Sequence, residues 1–332
     1  MTGGSTGPGP SAEVTGGPTD LATTLAGAVF PNPVFTASGC AAAGAELDQF
    51  FDITELGGVV TKSIMLAARS GRATPRMAET PSGMLNSIGL QGPGIEAFLD
   101  KDLAWLAGRG ARAVVSIAGG SVDDYARLAA LLDGRPGVSM IEVNISCPNV
   151  EDRGQVFACD PRAAAEVVAA VRRETAVPVF AKLSPDVTDI TTIARACVDA
   201  GADGLSVINT LLGLAIDTST MRPVLGGITG GLSGPAIRPV ALRCVWQVHQ
   251  ALPHVPILGM GGIRTGLDAL EFLLAGASAV SVGTTVFGDP SAPVRVLREL
   301  SAALTERGFA RVGDAVGLAH RPADAEHDER PR

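Results

Sequence analysis

From Val34 to Val282 the chain repeats one pattern, a short run of consecutive apolar residues followed by a longer stretch with helical spacing. The apolar runs Val34–Ala37, Gly58–Lys62, Ala113–Ile117, Met140–Ile145, Val179–Leu183, Gly204–Ile208, Ile257–Met260 and Ala279–Val282 are predicted strands, eight in all. Helix signals fall between them. Ser121 with Asp124 resembles a capping box, and Asp160-Pro161 and Asp289-Pro290 each put an N-cap residue before a first-turn proline. Gly201 and Gly276 stand where a helix should end before the next strand. Alternation of this kind means parallel strands joined by crossover helices, and eight unbroken units favour a closed (β/α)8 TIM barrel over an open doubly wound sheet.

The ends read differently. Residues 1–19 are almost all Gly, Pro, Ser, Thr and Ala, and 321–332 are charged and contain proline, so both are expected to be disordered tails around one domain spanning 20–320. A chain of 332 residues with 46% hydrophobic composition has ample material for that core. Its net charge of -8 and pI near 5.1 argue against nucleic acid or an anionic membrane as a partner, leaving a small molecule. Cys40, Cys147, Cys159, Cys197 and Cys244 are odd in number and scattered, which suggests no disulfide framework and no metal or iron–sulfur site, as in a reducing cytoplasm. The mildly apolar Leu21–Phe30 has no basic residues before it and no long apolar run follows, so the protein is expected to be soluble.

Candidate chemistry collects where strands end, the face on which a barrel builds its active site. Asn144-Ile145-Ser146-Cys147-Pro148-Asn149 places one cysteine among three hydrogen-bonding side chains where an apolar run stops. Most free cysteines are small buried hydrophobes, but a buried strand end has no use for three extra polar groups that each need a partner. Lysine is scarce. It occurs only as Lys62, Lys101 and Lys182, in a chain that otherwise uses arginine, and two of the three close predicted strands. That placement suits a compact ammonium in a tight pocket. Gly261-Gly262 and Gly283-Thr284 follow the last two runs, where barrels bind phosphate with loop amides. Asn86, Asn209 and Thr210 add neutral donors and acceptors suited to a planar ligand with amide and carbonyl edges.

Together these segments resemble the dihydroorotate dehydrogenases of the cysteine-containing class 1, closest to the catalytic subunit of the NAD-linked, two-subunit branch, class 1B. The resemblance runs from Asn32-Pro33-Val34 and Ala37-Ser38-Gly39 through Thr61-Lys62-Ser63, Glu79-Thr80-Pro81 to Gly89-Leu90, Asn144 to Val150 and Lys182-Leu183-Ser184-Pro185. It continues through Asn209-Thr210, Gly230-Gly231-Leu232-Ser233-Gly234-Pro235 and Gly259-Met260-Gly261-Gly262 to Gly283-Thr284. What it implies is a barrel holding FMN at its C-terminal mouth and oxidising (S)-dihydroorotate to orotate in pyrimidine synthesis, with Cys147 as general base for C5 and hydride passing from C6 to the flavin N5. Lys62, Asn86, Ile88, Gly89, Leu90, Asn144, Asn149, Asn209 and Thr210 match the family's substrate contacts. Ser38, Lys62, Asn144, Lys182, Ile208, Gly234, Gly261, Gly262, Gly283 and Thr284 match its FMN contacts, and Ser116 stands where an Asn commonly touches the flavin. An ordinary thiol is only a few per cent thiolate at neutral pH, so activity is expected to rise on the alkaline side.

Other positions also depart from the pattern. Gly92 and Asp186 each replace an Asn, and Glu151-Asp152-Arg153-Gly154 stands where a Lys and paired glycines are common. These changes leave open a relative acting on another dihydropyrimidine, or a non-catalytic flavin-binding barrel. A Schiff-base aldolase is a further reading of Lys62 and Lys182, but it leaves Cys147 and the asparagines unexplained. No cysteine cluster and no dinucleotide fingerprint is present, so electrons must pass from FMN to a partner subunit carrying FAD and iron–sulfur, or to a soluble oxidant such as fumarate in the class 1A manner. A homodimer is expected from the family.

Overall fold

The computed structural model describes residues 17–145 and 157–322. Eight parallel strands form one sheet: β1 (Val34–Thr36), β2 (Val59–Val60), β3 (Ala113–Ile117), β4 (Val138–Val143), β5 (Val179–Leu183), β6 (Gly204–Val207), β7 (Ile257–Met260) and β8 (Ala279–Val282). β8 pairs with β1, and a bridge between Phe35 and Gly58 brings β1 beside β2, so the sheet closes on itself. The predicted (β/α)8 barrel is therefore the observed architecture, with four strand ranges matching residue for residue and the rest within two residues at each end.

Among the described residues seven α-helices of six residues or more cover the barrel: α1 (Ala104–Arg109), α2 (Val122–Leu132), α3 (Pro161–Glu174), α4 (Ile190–Asp199), α5 (Arg238–Ala251), α6 (Gly266–Leu274) and α7 (Ala292–Glu306). Between β1 and β2 only two short 3-10 turns, Leu47–Gln49 and Ile53–Glu55, occupy the place of a helix. Ser121 caps α2 by accepting from the Asp124 N–H, but the Asp124 carboxylate takes the N–H of Gly120 instead of closing the box. A complete capping box, missed in the sequence, starts α6 at Thr265 with Asp268. Asp160 caps α3 with Pro161 in the first turn, as predicted. Asp289 does not cap α7: the helix begins two residues later than expected, after Ser291 with Pro293 in its first turn, and Asp289 instead accepts from the Ser291 N–H and Arg295. Gly201 and Gly276 follow the ends of α4 and α6 with φ of 102° and 112°.

The barrel interior is filled from its amino-terminal end. A hairpin, Thr23–Leu25 with Ala28–Phe30, turns through Ala26 and Gly27, both at positive φ as a two-residue hairpin turn of this hand requires. Its Leu25 and Phe30 plug the barrel against Phe35, Val60, Val114, Met140, Phe180 and Leu258. Phe180 needs space on β6, and Gly204 leaves it: a Cβ there would lie 2.3 Å from the Phe180 ring. Thr19, expected to lie in the N-terminal tail, is buried and hydrogen-bonded to Phe309 and Thr305; residues 1–16 and 323–332 lie outside the described residues.

At the opposite end a four-stranded antiparallel sheet, absent from the sequence reading, overhangs the mouth in the order Leu211–Leu214, Thr229–Ser233, Gly83–Asn86, Met77–Thr80. Its glycines concealed it. Gly230 and Gly231 carry no strand signal, yet Gly231 has to be side-chain-free because a Cβ would meet the Thr210 hydroxyl. Among the described residues no helix is long and apolar enough to cross a membrane.

Candidate functional site

Side chains alternate along a strand, so the residues two positions beyond the apolar plug also face inward. There the wall turns polar. Val60 is followed by Lys62, Val114 by Ser116, Met140 by Glu142, Phe180 by Lys182, Gly204 by Ser206 and Ala279 by Ser281. Above this layer, under the antiparallel overhang, lies a cavity of about 890 Å³.

The cavity collects almost every residue singled out in the sequence. Ser38, Lys62, Asn86, Ile88, Gly89, Leu90, Asn144, Lys182, Ile208, Asn209, Thr210, Gly234, Gly261, Gly262, Gly283 and Thr284 all line it. Ser116 does not. It is fully buried one step behind, its hydroxyl 2.9 Å from that of Ser63, which lines the wall. Cys147 and Asn149 lie outside the described residues, as does the Glu151–Gly154 segment. Lys101, the third lysine, is exposed on the wide helical turn Phe98–Leu103, away from the cavity.

Hydrogen bonds tie the strand ends into one wall. Ser63 Oγ receives the Asn144 Nδ2 hydrogen bond at 2.9 Å and lies 3.4 Å from Ser38 Oγ. Asn209 Nδ2 donates to Asn144 Oδ1 at 3.3 Å, so ends of β1, β2, β4 and β6 meet in sequence. Tyr125, the chain's single tyrosine, reaches from α2 to donate to the Asn144 carbonyl at 2.9 Å, fixing the main chain three positions before Cys147 in the sequence. In the overhang Asn86 donates to the Gly231 carbonyl, and Arg72, another cavity residue, donates to Ser87. The Asp186 carboxylate accepts the Leu212 N–H at 3.1 Å, pinning the overhang to the loop after β5.

Three features of the site were not read from the sequence. Glu142, taken as one residue of a buried run, is fully buried and pairs with Lys182 at 3.3 Å. Its signal was available, since a carboxylate inside Met140-Ile141-Glu142-Val143 on the inward face has to meet a cation there. Cys40 lines the cavity too, and desolvation pushes its thiol up to about 11 although Lys182 and Lys62 pull it down. Arg72 came from a stretch with no strand or helix period and carried no signal at all.

The donor set fits a flavin nucleotide. The Lys182 ammonium has three N–H groups and one acceptor, Glu142, among the described residues, leaving donors at the cavity floor for a ring that gains negative charge. The N–H groups of Gly262, Gly283 and Thr284 donate to no main-chain carbonyl of the described residues, and all three line the wall, as a phosphate cradle requires.

Comparison with known proteins agrees with this arrangement. The family model described as dihydroorotate dehydrogenase matches residues 20–304. A protein of Pelobacter propionicus named as the catalytic subunit of dihydroorotate dehydrogenase B (NAD(+)) is 53% identical over 298 residues, 90% of this chain and 98% of the relative. Proteins of the same name are 52% identical over 300 residues in Desulforudis audaxviator, covering 90% of this chain and 97% of the relative, and 50% identical over 298 residues in Geobacter sp. strain M21, with the same two coverages. The resemblance to the NAD-linked branch seen in the motifs from Asn32 to Thr284 thus extends over the whole folded region, and the chain belongs to the dihydroorotate dehydrogenase family.

Proposed function

We propose that the protein oxidises (S)-dihydroorotate to orotate in pyrimidine synthesis, as an FMN-dependent catalytic subunit in the cytoplasm. The observation that carries this reading is the meeting, on one cavity wall, of Lys62 and Lys182 with Asn144 and Asn209 beneath free loop amides. FMN would be held by Lys182 and Lys62 at the floor, by Ser38, Asn144, Ile208 and Gly234 along the wall, and by the amides of Gly261, Gly262, Gly283 and Thr284. When bound it supplies a two-electron acceptor for the hydride that leaves C6 of the substrate.

The chain's own residues do the rest. Cys147, two residues beyond Ile145, takes the proton from C5 as the C5–C6 double bond forms, and it must be a thiolate to do so. Lys62, Asn86, Asn149, Asn209 and Thr210 bind the substrate carboxylate and amide edges, with Asn144 shared between both ligands. The main chain of Ile88, Gly89 and Leu90 closes the remaining side, braced by Arg69, which donates to the Gly89 carbonyl at 3.1 Å, and by the Arg72 N–H on the Ile88 carbonyl at 3.0 Å. Orotate carries a full negative charge, which the two ammonium groups favour over neutral analogues.

The relatives' names specify a catalytic subunit and NAD(+), which supports a separate partner subunit for this chain. We infer that the partner carries FAD and iron–sulfur and that the core is a homodimer, as the family resemblance implies. The test is the isolated protein's flavin spectrum. A yellow protein that bleaches with dihydroorotate but reduces NAD negligibly until the partner is added supports the reading. Rapid turnover with fumarate would place it in the class 1A branch, an unbleachable yellow protein would make it a binder, and a colourless one trapped by borohydride with a carbonyl substrate would make it an aldolase.

A further inference from the structure

Glu142 has no place in the chemistry just described, yet it occupies a costly position. It is fully buried on β4, behind the cavity wall, with the apolar plug directly beneath it. One carboxylate oxygen meets Lys182 Nζ at 3.3 Å; the other finds no partner among the described residues. A buried ion pair of this sort is often no more stable than an apolar pair of similar volume, so stability alone does not account for it. Nor does hydrogen bonding, since a carboxylate kept as an acceptor would have both oxygens satisfied. What Glu142 brings is charge. Among the described residues, the ionisable groups around the cavity floor are Lys62, Lys182, Glu142 and the Cys40 thiol, which desolvation keeps protonated at neutral pH.

We propose that Glu142 is a positioning residue that sets the charge of the cavity floor, holding Lys182 in place as an ammonium while offsetting part of its field on the ring of a bound flavin. The inference rests on the FMN reading above. With Glu142 the floor carries two ammoniums and one carboxylate; without it, Lys182 acts at full strength on whatever lies over it. The consequence is a floor that binds the electron-rich, reduced form of FMN less tightly than two bare lysines would. Such a floor leaves electrons free to move on, which a subunit that hands them to a partner requires.

The experiment is a redox titration of FMN-loaded protein, read as the ratio of affinities for reduced and oxidised FMN. Glu142→Gln keeps shape and one acceptor but removes the charge; it should shift that ratio toward reduced FMN on the order of tenfold or more. Glu142→Asp keeps the charge at the cost of a methylene, and should stay within about threefold of the wild type. A purely structural role predicts the reverse order, with Gln tolerated and Asp disturbed. Adding Lys182→Met to Glu142→Gln should abolish the gain, because the effect runs through that ammonium. An unchanged ratio in Glu142→Gln, or a gain that survives loss of Lys182, overturns the inference while leaving the FMN reading intact; a wild-type chain that takes up no FMN removes that reading itself.

If neither single variant folds with flavin bound, the wild type decides. Three lysines give three side-chain nitrogen signals by NMR, and the one most slowly exchanging with solvent should belong to Lys182. Its nitrogen shift should move when the bound FMN is reduced, as expected of an ammonium lying beside the ring. A shift indifferent to reduction would take Lys182 out of the floor, and the charge-setting role of Glu142 would be wrong.

Discussion

Phe180 and Lys182 lie two residues apart on β5 and face the same interior, yet one is embedded in the apolar plug and the other forms the cavity floor. The same step separates Met140 from Glu142 and Val60 from Lys62. Below the step, side chains are chosen for volume, and a hairpin seals the end with Leu25 and Phe30. Above it they are chosen for charge and hydrogen bonding, and several are left incompletely partnered: Glu142, Ser206 and Ser281 each keep a buried oxygen without a partner among the described residues. Stability and function therefore occupy successive layers of the same strands, and a substitution should report on one without the other.

Loss of volume below the step should have the largest effect. Phe180→Ala removes a fully buried ring that Gly204 cannot collapse to fill, and should cost about 3–5 kcal/mol of unfolding free energy. Chemical denaturation measures it. What protein remains folded should still take up FMN, and a selective loss of flavin binding at unchanged stability would erase the distinction between the layers.

Cys147→Ala comes next. Flavin reduction by dihydroorotate should fall by at least ~10²-fold, the usual contribution of a general base, with FMN binding and the denaturation midpoint unchanged. Cys147→Ser should keep a trace of activity displaced to higher pH. Near-normal stopped-flow bleaching in the Ala variant would take Cys147 out of the mechanism.

The lysines test the upper layer by themselves. Lys182→Ala and Lys62→Ala should weaken FMN affinity about tenfold or more, through loss of charge at the floor, whereas Lys101→Ala should change nothing because that side chain is exposed elsewhere. Lys62→Arg should not rescue, since a planar guanidinium is too large for a site shared by two ligands. Equal flavin content in all three Ala variants would reduce the lysine placement to coincidence.

The two layers were unequally legible in the sequence. The barrel could be read because parallel strands buried on both faces are continuous apolar runs, as in Ala113–Ile117 and Val179–Leu183, whose observed limits are the predicted ones. The site could be read where rare residue types end those runs, as with Lys182 and Asn144. Two things stayed hidden. The antiparallel overhang is made of Met77–Thr80, Gly83–Asn86, Leu211–Leu214 and Thr229–Ser233, short segments whose half-exposed faces and glycines carry no apolar run. Glu142 was hidden by its neighbours, since a single polar residue in an apolar strand does not break the pattern that identifies the strand.

A smaller effect is expected where a helix supports the wall. Tyr125→Phe removes only the hydroxyl that donates to the Asn144 carbonyl, and should cost about 1 kcal/mol in stability. Because that carbonyl is at the end of β4, substrate KM should rise by a few-fold, while FMN content stays level. A change in FMN content without a change in KM would mean that Tyr125 braces the flavin side instead.

The smallest effect at neutral pH, and the one that separates the layers by titration, concerns two thiols. Cys40 faces the cavity and Cys197 is buried on α4, and desolvation raises them from 9.0 to about 11 and about 12. An acid whose folded pKa is raised holds its proton longer in the folded state than in the unfolded one, so the folded state binds more protons between the two values. Stability from each group is fully present below pH 9 and is lost as pH climbs through 11 for Cys40 and 12 for Cys197. Urea midpoints should therefore be flat through neutral pH and fall above 9, and Cys40→Ala and Cys197→Ala should each flatten that fall. Only Cys40 has lysines beside it holding its pKa down, so Lys182→Ala should steepen the alkaline loss by removing that restraint, an increment that disappears in Cys40→Ala. If Lys182→Ala changes the alkaline limb equally with and without Cys40, the thiol and the ammonium do not share the cavity floor.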